Sequence, residues 1–425
     1  MASAKNWQQI AAGKRNLRDE ALKPYTINSI TEPVFDDALV QARRLDELFR
    51  ETGELQGPLH GVPMTYVERS FRPAEEDAVI VALLKQMGAV IMFKTNLPQS
   101  ILWAETDNPL RGWTNNPCNP DLTPGGSTGG EAALLALHGS ILGLGTDIGG
   151  SIRIPGALNG LYAFKPTPSN SSRYPSLGVP NSNQGQEHIP FFVGPLARTL
   201  SSICHLSRQR AFAEIQSQPL VMGLILDDGV VKVLLWDTSD HHACARLMDR
   251  LYTAGGCEDI RRDIDAAGEP MILHVRGISV YEYWQLNRER VALQQAYLAK
   301  WVVTRARARS GRAVDILLGP VAPHTAVPHG RVRWTGYTRV WNLLDYSALA
   351  FPVDVVRGDV DGVSGSVGKE AYESRNEMDA WNWRLFDPEI MDGHPVGLQI
   401  VGRKLQEEVV LGAATVIERV LREDK

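Results

Sequence analysis

Gly125-Gly126-Ser127-Thr128-Gly129-Gly130-Glu131 and Gly143-Leu144-Gly145-Thr146-Asp147-Ile148-Gly149-Gly150-Ser151-Ile152-Arg153-Ile154-Pro155 are two glycine-rich stretches, each with a serine preceded by two glycines. Between them, Glu131 to Leu137 is alanine- and leucine-rich and apolar nearly all round, which predicts a buried helix. Ile141 to Gly145 reads as a strand entering the second loop, and Leu161-Tyr162-Ala163-Phe164 as a strand stopped by Lys165-Pro166. The same alternation runs outward in both directions. Upstream, Phe35, Ala38, Leu39, Ala42, Leu45 and Leu48 recur at helical spacing. A short strand is expected over 59–65 and an amphipathic helix over 78–87, with Gly88 as its stop. Ala89 to Phe93 is continuously apolar, the mark of a strand covered on both faces. Downstream, 316–318 and 397–402 read as strands, and 341–349 and 407–421 as helices. Residues 243–252 and 281–301 are helical patches in an otherwise irregular middle, about 200–310, that shows no linker. The alternation predicts an α/β sandwich around a largely internal sheet.

Three common uses of glycine-rich loops fail on single residues. A phosphate-binding P-loop needs a lysine where Glu131 stands. A dinucleotide fingerprint needs a third glycine where Ile148 stands. A Gly-x-Ser-x-Gly elbow around Ser151 ends on Arg153 instead of glycine. What remains is chemistry on a carbonyl. Glycines beside a reactive serine let backbone N–H groups approach the oxygen of a tetrahedral intermediate and stabilise its charge. Ile148-Gly149-Gly150-Ser151 can supply both those donors and a nucleophile.

These two stretches, with Gly160-Leu161-Tyr162-Ala163-Phe164-Lys165-Pro166, resemble the amidase signature, most closely in the flavour of fungal acetamidase-like general amidases. The resemblance is strong over about 57–168. It returns at Gly319-Pro320, Trp341-Asn342, Phe351-Pro352 and Pro395 to Gln399. It implies an α/β fold in one domain over 1–425, with a mixed central sheet covered by helices on both faces. It also implies hydrolysis of a small or moderately apolar carboxamide through a serine acyl-enzyme, with a Ser-Ser-Lys triad and no cofactor or metal. Carried onto this chain, Ser151 matches the nucleophile and Ser127 the bridging serine, held by a cis peptide in the family. Ile148, Gly149 and Gly150 match the oxyanion loop, and Ile101 matches a substrate-contacting position. Asp147 and Arg153 match positions expected to hold the loop.

The pattern breaks at the third member of the triad. The family's lysine follows Gly-Val-Pro closely, but here Gly61-Val62-Pro63-Met64-Thr65 runs into Tyr66-Val67-Glu68-Arg69. Counting without a gap puts Val67 at the lysine position. A deletion after Thr65 is the better reading, with comparable jumps near Tyr25/Thr26, between Arg208 and Leu220, and at Lys232/Val233. Lys94 reads as structural support, Glu68 lies at the junction, and His138 reads as a polar helix end. His241-His242 reads as surface. The competing reading is a catalytically impaired relative, or a shortened gene product, acting as a binding protein.

Composition sets the outer limits. The 425 residues carry 44 Lys+Arg against 49 Asp+Glu, a net charge of −5, with 44% hydrophobic content. That balance disfavours a nucleic-acid partner, which calls for a clustered basic face. No run approaches the ~20 apolar residues of a membrane span. Cys118, Cys204, Cys244 and Cys257 show no metal or disulfide spacing, so a reducing, cytoplasmic setting is expected. The expected partner is a small amide substrate. Homo-oligomer formation is left open.

Overall fold

The computed structural model describes residues 27–67, 76–109, 111–167, 186, 188–207, 222–224, 234–267, 276–307, 312–361 and 372–423. In chain order these form β1 (Ile30–Pro33), α1 (Phe35–Thr52), β2 (Pro63–Val67), α2 (Val79–Gln86) and β3 (Val90–Thr95). A small hairpin of β4 (Asp107–Asn108) and β5 (Gly112–Trp113) precedes α3 (Gly129–Ala136), β6 (Leu142–Asp147) and α4 (Arg153–Leu158). Then come β7 (Tyr162–Lys165), β8 (Phe192–Ala197), α5 (Leu200–Leu206), β9 (Met222–Leu224) and β10 (Leu234–Leu235). Three helices follow: α6 (His241–Tyr252), α7 (Glu258–Ala267) and α8 (Val280–Arg307). The last part holds β11 (Ile316–Pro320), α9 (Gly336–Leu343), β12 (Ala348–Val355), α10 (Gly358–Asp361), α11 (Glu377–Leu385), β13 (Pro395–Val401) and α12 (Glu407–Glu423).

Eleven of these strands make one sheet, ordered β1-β3-β2-β6-β8-β7-β12-β13-β11-β9-β10. Pairing is mixed: β2 lies parallel to β3 and β6, whereas β8 is antiparallel to β6 and β7, and β12 is antiparallel to β7 and β13. Alternation along β12 shows why the sheet is covered twice. Leu349 and Phe351 enter a core with Val81 and Leu84 of α2, Ile203 of α5 and Val410 of α12. Ala350 joins Ala132 and Leu135 of α3 and Ala157 of α4 in another core, and Ala348 packs with Trp341, Trp301 and Leu247. Every residue of β6 is buried, as a strand between two apolar layers requires.

Three expectations need correction. The helix expected over 341–349 ends at Leu343, and Ala348 onward is a central strand. Asp345, at φ 63°, turns the chain between them, and a short apolar run cannot by itself say whether it is helix or strand. The strand expected from residue 59 begins at Pro63, because His60 N–H donates to Gly57 and Val62 N–H to Leu59 in a turn around Gly61 (φ 71°). His241 is not a surface residue. It stacks on Tyr297, bonds its hydroxyl at 2.8 Å, and burial lowers its pKa to about 4. The junctions proposed near residue 25, within 208–220 and at 232/233 lie outside the described residues, as do residues 68–75.

Candidate active site

Ser127 reaches its place through a tightly drawn loop. The Gly126–Ser127 peptide is cis. Thr106 hydroxyl donates to the Gly125 carbonyl at 2.9 Å and accepts from Gly129 N–H at 3.1 Å. Asn159 holds the Pro124 carbonyl at 2.7 Å. Gly126 must be glycine, since a Cβ there would lie 2.3 Å from the Glu105 carbonyl oxygen. Ser127 is fully buried, and its hydroxyl has no partner among the described residues. Such a group ordinarily has one, because an unpaired buried donor costs about 1–3 kcal/mol.

The second loop meets the first directly: Thr128 N–H donates to the Ser151 carbonyl at 3.1 Å. Ser151 sits where β6 has ended and α4 is about to begin. The turn between them is built on a buried ion pair. Both Asp147 and Arg153 side chains are 0% exposed and meet at 2.9 Å. Arg153 also donates to Gln399 at 3.0 Å, to the Thr338 carbonyl at 3.1 Å and to Asn342 at 2.6 Å. Burial alone would raise the Asp147 pKa, but the Arg153 charge and its hydrogen bonds outweigh that and hold the carboxyl below its ordinary value. Asp147 therefore stays ionised and accepts from Gly150 N–H at 2.8 Å. The N–H groups of Ile148, Gly149 and Ser151 have no acceptor among the described residues. Of the expected donors Ile148, Gly149 and Gly150, the last has its N–H engaged by Asp147.

Ile101 lies on a different loop, after β3, in a left-handed conformation (φ 64°) that is strained for a β-branched side chain. Its N–H donates to the Pro98 carbonyl at 3.2 Å, and neighbouring Leu102 packs on Ile260 and Ile264 of α7. No described hydrogen bond joins Ile101 to the serine pair. His138 is exposed at the end of α3, and the side chain of Glu68 lies outside the described residues.

Two titratable groups near the loops escaped the sequence reading. Glu131, in the first turn of α3, is fully buried and accepts from Thr65 of β2 and from Thr95 of β3, the latter at 3.0 Å. Burial pushes its pKa up to about 8 against the pull of those hydrogen bonds, so it is mainly the neutral acid at pH 7. Lys165 is fully buried with its ammonium 3.7 Å from the centre of the Phe192 ring, donating to the Pro166 carbonyl at 3.1 Å. Burial, then the Arg153 charge, lowers its pKa to about 7. Lys85 pairs with Asp77, Lys94 with Glu32, Lys300 with Asp237 and Asp240, and Lys404 with Asp345. None of the described lysines bonds to Ser127.

Known proteins match this chain over most of its length. The amidase family profile matches residues 18–213 and 232–411. The chain is 48% identical to Amidase 1 of Gibberella moniliformis over 458 aligned positions, covering 93% of this chain and 86% of that protein. That length exceeds the 425 residues available, so the alignment crosses stretches the relative has and this chain lacks. Acetamidase of Aspergillus oryzae is 32% identical, covering 90% of this chain and 81% of its own. Among solved structures, a fatty acid amide hydrolase superposes with a TM-score of 0.82 at 26% identity, covering 93% of this chain and 79% of that one.

Two stability effects follow from the buried charges. Arg153→Met strands an uncompensated Asp147 and should cost ~3–5 kcal/mol in urea denaturation; a loss under 1 kcal/mol would show that the pair does not organise the turn. For Glu131, the folded pKa (about 8) lies above the unfolded value (4.5), so its contribution is full below pH 4.5 and is lost as pH rises towards 8. Glu131→Gln should therefore flatten the fall in stability between those limits. Parallel stability–pH curves for the two proteins would refute the assignment.

Proposed function

The chain belongs to the amidase family, and on that premise we propose that it hydrolyses a small or moderately apolar carboxamide through an acyl-enzyme on Ser151. Ser151 oxygen attacks the amide carbonyl while its proton passes to the Ser127 oxygen and the Ser127 proton passes on to a water molecule, since no described side chain accepts it. The tetrahedral oxyanion is met by backbone N–H groups of the 148–151 turn, and the amine leaves with a proton returned through Ser127. Water then repeats the sequence in reverse roles and releases the carboxylate. The observation that carries this reading is the contact between the two serine loops: Thr128 N–H, next to the buried Ser127, donates to the Ser151 carbonyl, although no hydrogen bond among the described residues joins the two serine hydroxyls. The Ser127 hydroxyl has no partner among the described residues, so a relay through it needs both the approach of the Ser151 oxygen and an acceptor on its far side.

A second reading is favoured by the same hydroxyl. The family's lysine is the group expected to take the proton, as a neutral amine in a desolvated site. Residues 66–77 contain no lysine, and β2 runs through Val67 with Thr95 opposite it. Together with the longer alignment to Amidase 1, this supports loss of the lysine-bearing segment after Thr65 and a protein that acylates slowly or only binds amides.

A fluorophosphonate probe tests the first reading. Wild-type protein should be labelled, with fluoride expelled as the Ser151 oxygen bonds phosphorus, and Ser151→Ala should not. Folded wild-type protein that resists labelling would overturn the nucleophile assignment. Inserting the corresponding Amidase 1 segment between Thr65 and Tyr66 should raise amide turnover by on the order of 10⁴, the effect of a base in comparable serine triads. A repaired protein that is folded yet no faster would refute the proposed lesion.

A further inference from the structure

Two hydroxyls from distant parts of the chain close on the turn that precedes Ser151. Tyr252, the last residue of α6, donates to the Ile148 carbonyl at 2.5 Å. Thr338, in α9, donates to the Gly149 carbonyl at 2.7 Å. A trans peptide is planar, with its carbonyl and N–H pointing opposite ways, and neither of these peptides is cis. Fixing the Ile148 carbonyl therefore fixes the Gly149 N–H and turns it away from Tyr252. The next peptide is fixed twice, by Thr338 at its carbonyl and by Asp147 at the Gly150 N–H. Tyr252 is thus the side chain that holds the Gly149 N–H, which has no acceptor among the described residues.

The surroundings make this brace stiff. A Cβ on Gly149 would lie 2.8 Å from the Tyr252 oxygen and 3.4 Å from Arg339 Cγ, so the phenol is packed against the turn. Arg339, next to Thr338, pairs with Asp249, one turn before Tyr252 on α6. The two hydroxyls therefore belong to one α6–α9 unit. Burial drives the Tyr252 pKa upward, so it keeps the proton it donates.

We propose that Tyr252 is a positioning residue for amide hydrolysis: its hydroxyl aims the Gly149 N–H at the oxygen of the tetrahedral intermediate, with Thr338 as the second brace. The inference rests on Ser151 being the nucleophile. Butylboronic acid tests it without a leaving amine. The Ser151 oxygen bonds boron, its proton goes to water, and the tetrahedral anion that results needs the oxyanion donors. Pentanamide, trigonal and neutral, reports ground-state binding. Both affinities are read by calorimetry.

Losing an oxyanion donor outright costs 10²–10³ in rate, and a misaimed one should cost less. Tyr252→Phe should bind the boronic acid ~10-fold more weakly and pentanamide within about twofold of wild type, with an unchanged melting temperature. A merely structural role would weaken both ligands together. Should Tyr252→Phe fail to fold, Thr338→Val and Thr338→Ser carry the test, the valine weakening only the boronic acid and the serine restoring it. Boronate binding that depends on Ser151 but is unchanged in Tyr252→Phe, or in Thr338→Val where that is the test, overturns the positioning role alone. A wild type that forms no adduct, or a Ser151→Ala variant that binds equally well, overturns the nucleophile reading and this proposal with it.

Discussion

The contact between Asp147 and Arg153 is the constraint on which the rest of the site depends. Two charges removed entirely from water are a poor source of net stability, since desolvation offsets most of their attraction. What they supply is geometry. Arg153 spends its donors on Asp147, Gln399, Asn342 and the Thr338 carbonyl, so the end of β6, the start of α4, α9 and β13 share one centre. Asp147 in turn takes the Gly150 N–H. The chain between Asp147 and Arg153 has little freedom left, and Ser151 stands inside it.

Around that centre the two serine loops differ in kind. The Ser151 loop is braced by charge and by hydroxyls from α6 and α9. The Ser127 loop is braced by neutral side chains, the Thr106 hydroxyl and the Asn159 amide, with glycine at 126 because Glu105 leaves no room for a side chain. The Ser127 hydroxyl is buried without a described partner, as are Asn159 Oδ1 and Arg339 Nε nearby.

Much of this was legible in the residues. Gly-Gly-Ser loops flanking an apolar segment led to α3, β6 and the serine pair, because local turns and a helix apolar all round are written in consecutive residues. The helix misread over 341–349 failed where a turn at Asp345 separates helix from strand within one apolar run. His241 looked like surface because its neighbour is polar, and only packing against Tyr297 of α8 hides it. Glu131 and Lys165 looked ordinary, since a shift in pKa comes from burial and from charges far along the chain.

The amino-acid order by itself determined the family and the α/β architecture and singled out the two serines as candidates, since each resides in short contiguous patterns of glycine, apolar and polar residues. Tertiary structure alone decided which backbone N–H groups of the turn have no acceptor among the described residues, that Tyr252 and Thr338 bond the Ile148 and Gly149 carbonyls, and that the Ser127 hydroxyl is buried without a described partner. The physical reason is sequence distance: Tyr252 and Thr338 lie roughly a hundred and two hundred residues from the turn they hold, and no local pattern records a hydrogen bond formed across such a span.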